Sequence, residues 1–388
     1  MKQELRDVVL VAYGRAPIAK AKKGSFADIH PATYGAETLK GVLARVPSLN
    51  PLKIDDVIVG CAMTQGVQSG NFAKTIVLRA GLPDSVPAMT INRYCSSGLQ
   101  VIALAANGIA TGQHDVVVAG GVESMSRVSM LEQPEDRDTE LEAARPGAYF
   151  NMGITAENVA EKYNISRLEM EQMAVESHAK ADAAQKAGVF KREIIPVTVK
   201  APGGTRRTVA ADEGIRAGTN LAALAELKPA FREDGRVTAA TSSQMSDGAA
   251  FVVLMSAEKA ADLKLKPLAR LAGFAVTGVA CEIMGIGPIA AVPKVLALTG
   301  MKLDDIDVIE LNEAFAAQAI PCIRELGLDP KKVNPRGGAL ALGHPLGATG
   351  TILTCKALSY LEDTGGKYAL VTMCIGGGMG AAGIIEKL

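Results

Sequence analysis

The chain has 388 residues, 48% apolar and 21% charged, with 41 Lys plus Arg against 41 Asp plus Glu. That length exceeds one ordinary core and points to two domains, and the apolar share excludes an extended disordered chain. The charge balance lacks the basic surplus that a nucleic-acid partner requires, so none is expected.

The first segment, MKQELRDVVLVAYGRAP, opens on mixed charges and shows no small-residue cleavage pattern. Its apolar run is expected to be a first core strand, not a signal peptide. No stretch is expected to span a membrane, since none approaches the roughly 18 apolar residues required. A second strand is expected in KIDDVIVGCAMTQG, from Lys53. Residues 92–98, NRYCSSG, then place Cys95 on a polar turn directly before the apolar helical stretch LQVIALAANGIA. A cysteine at a helix N-terminus sits where unpaired N–H groups and the macrodipole favour the thiolate, which predicts a lowered pKa and a nucleophile. The competing reading is a small buried hydrophobe.

After the strand DVVVAGG, from Asp115, the stretch from about 123 to 237 has no counterpart later in the chain. Within it EQPEDRDTELEAARPG reads as a solvated loop, and Ser166-Arg167-Leu168-Glu169 as a capping box opening a helix that runs to Gly188. This insertion could cover a site. SDGAAFVVLMSAEKA, from Ser246, resumes strand and helix and closes the first half near Lys266-Pro267. The expected domains are therefore 1–266, insertion included, and 267–388.

The second domain repeats the first with an offset of about 250 residues. The strand ending at Cys61 matches the one leading to Asn312 in LDDIDVIELNEAFAAQ, the turn of Cys95 matches that of His344, and Gly98 matches Gly350. Each turn leads into a small-residue helix and then a strand, the later one being YALVTMCIGGG. Short β-branched runs alternate with Ala-rich helical stretches, the pattern of an α/β protein with a mostly parallel sheet covered by helices.

The repeat could bring Cys95 and His344, in NPRGGALALGHPLGATG, to one cleft, where His344 could act as a base. Cys374 precedes the glycines of CIGGGMG, whose N–H groups suit the developing charge of a tetrahedral intermediate better than a nucleotide phosphate, because no Lys follows. Two Cys and a His could instead ligate a metal, but nothing at ligand spacing completes the set. Six scattered cysteines without a C-x-x-C pair indicate neither a disulfide framework nor structural zinc, so a reducing, cytoplasmic location is expected.

With Cys95 in NRYCSSGLQ, Asn312 in LNEAFAAQ, His344 in GGALALGHPLGATG and Cys374 in CIGGGMG, the sequence resembles the thiolases over nearly its whole length. It looks most like the 3-ketoacyl-CoA thiolases of fatty-acid β-oxidation. The resemblance implies two similar α/β halves in a layered α-β-α-β-α core, with a lid inserted in the first. It implies that Cys95 forms an acyl-enzyme, that His344 accepts its proton, and that Cys374 protonates the leaving acetyl-CoA enolate. One oxyanion site would come from His344 with a water held by Asn312, the other from the N–H groups of Cys95 and Gly376. Arg216, Ser243, Ala239 and Phe231 would lie by coenzyme A, with Met152, Met284 and Phe315 along the acyl pocket. Coenzyme A enters as a substrate, no permanent cofactor is implied, and a homodimer or homotetramer is expected, with association with other β-oxidation enzymes open to it. Thiolases specific for acetoacetyl-CoA typically carry His where Asn151 precedes Met152-Gly153 here, which favours the degradative branch over the biosynthetic one. A β-ketoacyl synthase would need a Cys with two His, and a non-catalytic scaffold would not need the four intact motifs.

Overall fold

The computed structural model describes residues 5–130, 136–200 and 203–388. Its first half begins with Val8–Arg15 (β1) and the short Ala19–Lys20 (β2), followed by the helix Pro31–Leu43 (α1). Asp56–Gly60 (β3), Phe72–Arg79 (α2), Ala88–Ile91 (β4), Ser97–Ala110 (α3) and Val116–Ser124 (β5) come next. A long excursion follows, with helices Thr139–Ala144 (α4), Met152–Lys162 (α5) and Arg167–Lys186 (α6), the small ribbon Val197–Lys200 (β6) and Arg206–Val209 (β7), and Leu221–Ala225 (α7). Ser246–Ser256 (β8) and Ala257–Asp262 (α8) complete the half. The second half contains Ala269–Gly278 (β9), Gly287–Thr299 (α9), Val308–Leu311 (β10), Ala316–Leu326 (α10), Ala339–Leu342 (α11), Leu346–Thr364 (α12), Tyr368–Ile375 (β11) and Met379–Lys387 (β12).

The strands run in the order β4-β3-β5-β8-β1 and, continuing across the sheet, β9-β12-β11-β10. The halves join at a single antiparallel pairing, Leu10 with Ala269. Each half repeats the same plan. β3 and β10 end at Gly60 and Leu311, α3 and α12 begin at Ser97 and Leu346, and β5 and β11 follow, as the internal repeat predicts. The pairing is more mixed than the sequence suggests. β3 is parallel to β4 and β5, and β10 to β11, but β8 is antiparallel to β5 and β1, and β12 to β11 and β9. A turn of three glycines, residues 376–378, joins β11 to β12, and so short a link can only connect antiparallel neighbours.

Alternation along the strands sorts their side chains into layers. Phe251, Val253 and Met255 of β8 face α1 and α2 in one core, while Ala250, Val252 and Leu254 face the central helices in another. In the second half Val371 and Met373 share that central core, whereas Leu370, Ala382 and Ile384 pack outward with Val292 and Val295 of α9. Helices α3 and α12 are thus sandwiched between the two halves of the sheet and helices cover both outer faces, a five-layer α-β-α-β-α arrangement. The two central helices cross through glycine. A Cβ on Gly98 would stand 2.8 Å from both the Gly347 carbonyl oxygen and the Thr351 nitrogen, too close for any side chain. Thr351 Oγ1 adds a 2.8 Å bond to the Gly98 carbonyl.

The capping box at Ser166 and Glu169 opens α6, and Gly188, at φ +73°, follows its C-cap. The stretch expected as loop before it contains α4, capped by Asp138, because Asp138 Oδ1 accepts from the N–H groups of Glu140 and Leu141. Residues 132–135 of that stretch lie outside the described residues. Arg15 fastens the excursion to β1: fully buried, it bonds Asp212 through both terminal nitrogens at 2.7 and 2.9 Å and Glu193 at 2.8 Å. One helical run, Cys281–Thr299, is long and apolar enough to cross a membrane, contrary to the sequence expectation. It is kinked at Ile283, and its Ala291, Val292 and Val295 are buried in the outer core with Ala275 of β9 and Ala382 of β12.

Candidate active site

Cys95 stands on a single 3-10 turn, Tyr94–Ser96, that runs directly into α3. Tyr94 holds a φ of +43°, a strained value for a residue with a bulky side chain. Three bonds sustain it. Asn92 Oδ1 accepts from Tyr94 N at 2.8 Å, while Ser97 Oγ donates to the Tyr94 carbonyl at 2.7 Å and accepts from Arg93 N at 2.8 Å. Cys95 keeps part of its surface accessible and packs with Ala62, Met63 and Leu346.

The thiol does not show the lowered pKa expected of a helix N-terminus. Burial pushes it up to about 11, outweighing the N–H groups of Gly376 and of Cys95 itself, which bond the sulfur and favour the thiolate; the charge of Glu123 adds to the rise. Helix-end donors stabilise an anion, but loss of bulk water around the sulfur costs more.

His344 enters from the turn before α12 and is 4% exposed. Burial alone pushes its pKa down to about 4, so the imidazole is neutral at physiological pH. Its Nδ1 lies 2.6 Å from Thr349 Oγ1 and its Nε2 3.3 Å from Asn312 Nδ2. With the proton on Nδ1 donated to Thr349, Nε2 presents a lone pair. The Asn312 side-chain oxygen is buried without a hydrogen-bond partner, so it can hold a further donor such as water. Gln244 fixes the backbone here: its carbonyl accepts from His344 N at 3.1 Å, and its amide donates to the carbonyls of Gly214 and Ala341 at 2.9 and 3.0 Å.

Cys374 is fully buried near the end of β11, and its pKa lies well above the ordinary thiol value, first through burial and then through the charge of Cys95. The two sulfurs are therefore within electrostatic reach of each other. Gly376 begins the turn beyond it, where a Cβ would stand 3.6 Å from Met152 Sδ and 3.8 Å from the Tyr94 ring, while Gly377 and Gly378 adopt φ of +80° and +85°.

Met152, Met284, Phe231 and Phe315 gather with Cys374 in one apolar cluster, Phe231 meeting Phe315 edge-on at 6.0 Å between ring centres. Ser243 N donates to the Ala314 carbonyl at 2.9 Å, two residues beyond Asn312. Ala239 and Arg216 are exposed and lie outside the cluster; Arg216 is anchored through its backbone N, which donates to His178 Nδ1 at 3.1 Å. Asn151 is also exposed and caps α5, its Oδ1 accepting from Gly153 N at 2.8 Å.

Three neighbours went unnoticed in the sequence. Thr349 lies five residues beyond His344, and only the fold of α12 swings it back to the ring. Gln244 lies beside Ser243 and carried no signal of its own. Glu123 could have been flagged as a lone acid ending an otherwise apolar strand.

With this geometry in place, the comparisons are consistent with one another. The family description "Thiolase, N-terminal domain" matches residues 8–258 and "Thiolase, C-terminal domain" residues 265–387. A 3-ketoacyl-CoA thiolase of Bacillus subtilis is 49% identical, the match covering 98% of this chain and 100% of that protein. An acetyl-CoA acetyltransferase of Allochromatium vinosum is 44% identical over 98% of this chain and 99% of its own. Among solved structures, the dimeric peroxisomal thiolase of Saccharomyces cerevisiae superposes with a TM-score of 0.93 at 40% identity, covering 100% of this chain and 99% of that one.

Proposed function

Because the chain belongs to the thiolase family in both of its halves, we propose that it is a 3-ketoacyl-CoA thiolase, cleaving 3-ketoacyl-CoA with coenzyme A into acetyl-CoA and a shortened acyl-CoA. The two halves, divided at Lys266-Pro267, each give one helix N-terminus to the site. What supports the reading is that the partly accessible thiol of Cys95 and the buried thiol of Cys374 lie within electrostatic reach of each other, with a neutral imidazole at His344 on the turn that opens α12.

The Cys95 sulfur attacks the 3-keto carbon as its proton passes to His344 Nε2, and the new alkoxide lies in one of two oxyanion sites, formed by His344 with an Asn312-held water or by the N–H groups of Cys95 and Gly376. The bond between C2 and C3 then breaks. Its electron pair goes to the acetyl-CoA enolate, whose oxygen takes the other oxyanion site, and Cys374 gives its proton to C2. The acyl group remains on Cys95. Coenzyme A attacks that thioester, its thiol proton returning to the Cys374 thiolate, and His344 restores the proton of Cys95. Burial of Cys374 suits this role, since a thiol held well above its ordinary pKa stays protonated until a strongly basic carbanion forms beside it.

The apolar cluster of Met152, Met284, Phe231 and Phe315 would receive the acyl chain, and Arg216, Ser243 and Ala239 would meet coenzyme A. No resident cofactor takes part in these steps. We further assign the protein a cytoplasmic location on its scattered, unpaired cysteines, an oligomer of two or four chains, in line with a dimeric thiolase of similar structure, and a place beside the enzymes of fatty-acid oxidation. Thiolysis of acetoacetyl-CoA measured beside a medium-chain 3-ketoacyl-CoA, with Cys95→Ala as control, tests the reading. Faster cleavage of the longer substrate supports it, while activity confined to acetoacetyl-CoA assigns the chain to the acetyl-CoA acetyltransferase branch. Asn151 caps α5 through Gly153 N, and the apolar cluster is the surface that would read the length of the acyl chain.

A further inference from the structure

Glu123, next to last in β5, is a fully buried carboxylate with no ion-pair partner among the described residues. Its Oε2 accepts from Ala62 N at 2.7 Å and from Gly347 N at 2.8 Å. Its Oε1 accepts from Gln68 Nε2 at 2.7 Å, from Met63 N at 3.3 Å and from the Cys61 thiol at 3.7 Å. Burial raises the carboxyl pKa, but four N–H donors oppose that rise by bonding its oxygens, from Ala62, Gly347, Gln68 and Met63, and none of the four can accept a carboxyl proton, which favours the ionised form. Gly347 is the second residue of α12, where the helix's partial positive charge lies, and it follows His344 by three positions. Ala62 belongs to the small apolar patch, with Met125 and Leu346, on which both Met63 and Cys95 pack, and the Ala62 carbonyl accepts from Asn92 at the base of the Cys95 turn.

We propose that Glu123 is a positioning residue for the nucleophile: it clamps the Ala62–Met63 floor beneath Cys95 to the helix end that carries His344, and its buried charge keeps Cys95 a thiol until the proton can pass to His344. This deepens the thiolase reading, since it rests on Cys95 as nucleophile. The carboxylate offsets the positive end of α12 and leaves only the α3 end to favour a thiolate, which fits the raised pKa of Cys95, caused first by burial and in part by Glu123. The ionisable groups facing this carboxylate are few. Cys61 follows β3 and is held protonated by burial and by Glu123; Tyr34 of α1 donates to the Glu123 carbonyl at 2.8 Å; Asp247 of β8 accepts from Ser124 and Ser126; Cys95 and neutral His344 complete the set. A thiol that ionises only as it attacks is protected from adventitious oxidation and alkylation, which react with the thiolate.

The test is the rate of Cys95 alkylation by iodoacetamide, with Cys95→Ala subtracting the other partly exposed thiol, Cys281. In the unmodified protein the rate should climb about tenfold per pH unit from pH 7 to 9 without a plateau, as the thiolate fraction dictates. A plateau by pH 8 overturns the proposal whether or not any variant folds. Glu123→Gln keeps the shape and removes the charge, so the rate at pH 8 should rise about tenfold, the effect of a one-unit shift, and the excess over the native rate should narrow to about threefold near pH 10.5. An unchanged rate at pH 8, or an equal increase at both pH values from mere loosening, overturns it. Thiolysis by Glu123→Gln should fall in kcat more than it rises in KM. Because alkylation needs no acyl-CoA, failure of this inference is distinguishable from failure of the thiolase reading, which would show as thiolysis surviving Cys95→Ala.

Discussion

The same topological link is made in two very different ways in the two halves. In the second half β11 passes to β12 through three glycines, whereas the equivalent passage from β5 to β8 takes the whole excursion containing α4 to α7. Both connections finish at the Cys95 cleft, where Gly376 of the first meets Met152 of the second. The short link can offer only backbone N–H groups, held in place by two positive-φ residues that only glycine adopts cheaply. The long one can offer side chains, and brings Met152 and Phe231 to the apolar cluster that Met284 and Phe315 complete from the second half. Symmetry therefore sets the helix ends, and in the proposed reaction the break in symmetry divides charge stabilisation from part of the substrate enclosure.

That division can be tested from its centre outward. Cys95→Ala should remove acyl-enzyme formation and lower thiolysis by about 10⁴-fold or more, as expected when a covalent nucleophile is lost. Cys374→Ala should still accept an acyl group from a simple acyl-CoA, detected by mass as the intact adduct, yet fail to condense; equal loss of both steps would refute separate roles for the two thiols. On the short link, Gly378→Ala places a methyl group 2.9 Å from Cys281 Cα at φ +85°. The expected loss is about 2–4 kcal/mol of stability in denaturant unfolding, with a disproportionate fall in kcat because the turn carrying Gly376 must move.

A pH titration reads both regions at once. His344, in the second half, and His178, in the excursion, are each pushed down to about 4, the first by burial alone, the second by burial and then by Arg216 and Lys20. Between about pH 6.5, where unfolded histidine titrates, and pH 4 the unfolded chain binds more protons than the folded one, so stability is fully present above 6.5 and is lost as pH falls. Each site accounts for about 3 kcal/mol over that window. His178→Asn should flatten the dependence seen in chemical unfolding at pH 4.5 against pH 7, and an unaltered slope would show that His178 is not held neutral. The smallest effect belongs to the outer edge of the excursion. Ser166→Ala removes one side of the α6 capping box and should cost about 1 kcal/mol in thermal unfolding, leaving kcat unchanged.

Much of this was readable in advance because it is local. The capping box at Ser166, the glycine at 188, the apolar strand from Ser246 and the offset between the two halves follow from nearest-neighbour chemistry and from repetition, and the four motifs carrying Cys95, Asn312, His344 and Cys374 announced a thiolase. The strand directions were misread because periodicity reports burial, not direction, and α4 was hidden because a short charged helix resembles a loop in composition. The sequence by itself thus determined the family, the doubled architecture and which side chains are proposed to react. The tertiary structure decided the protonation states: whether Cys95 is thiol or thiolate depends on how much water α12, the Met63 floor and Gly376 exclude, and on the charge of Glu123, brought from the end of β5 to a helix more than two hundred residues away. Desolvation and charge proximity are properties of a packed interior, and no local pattern encodes them.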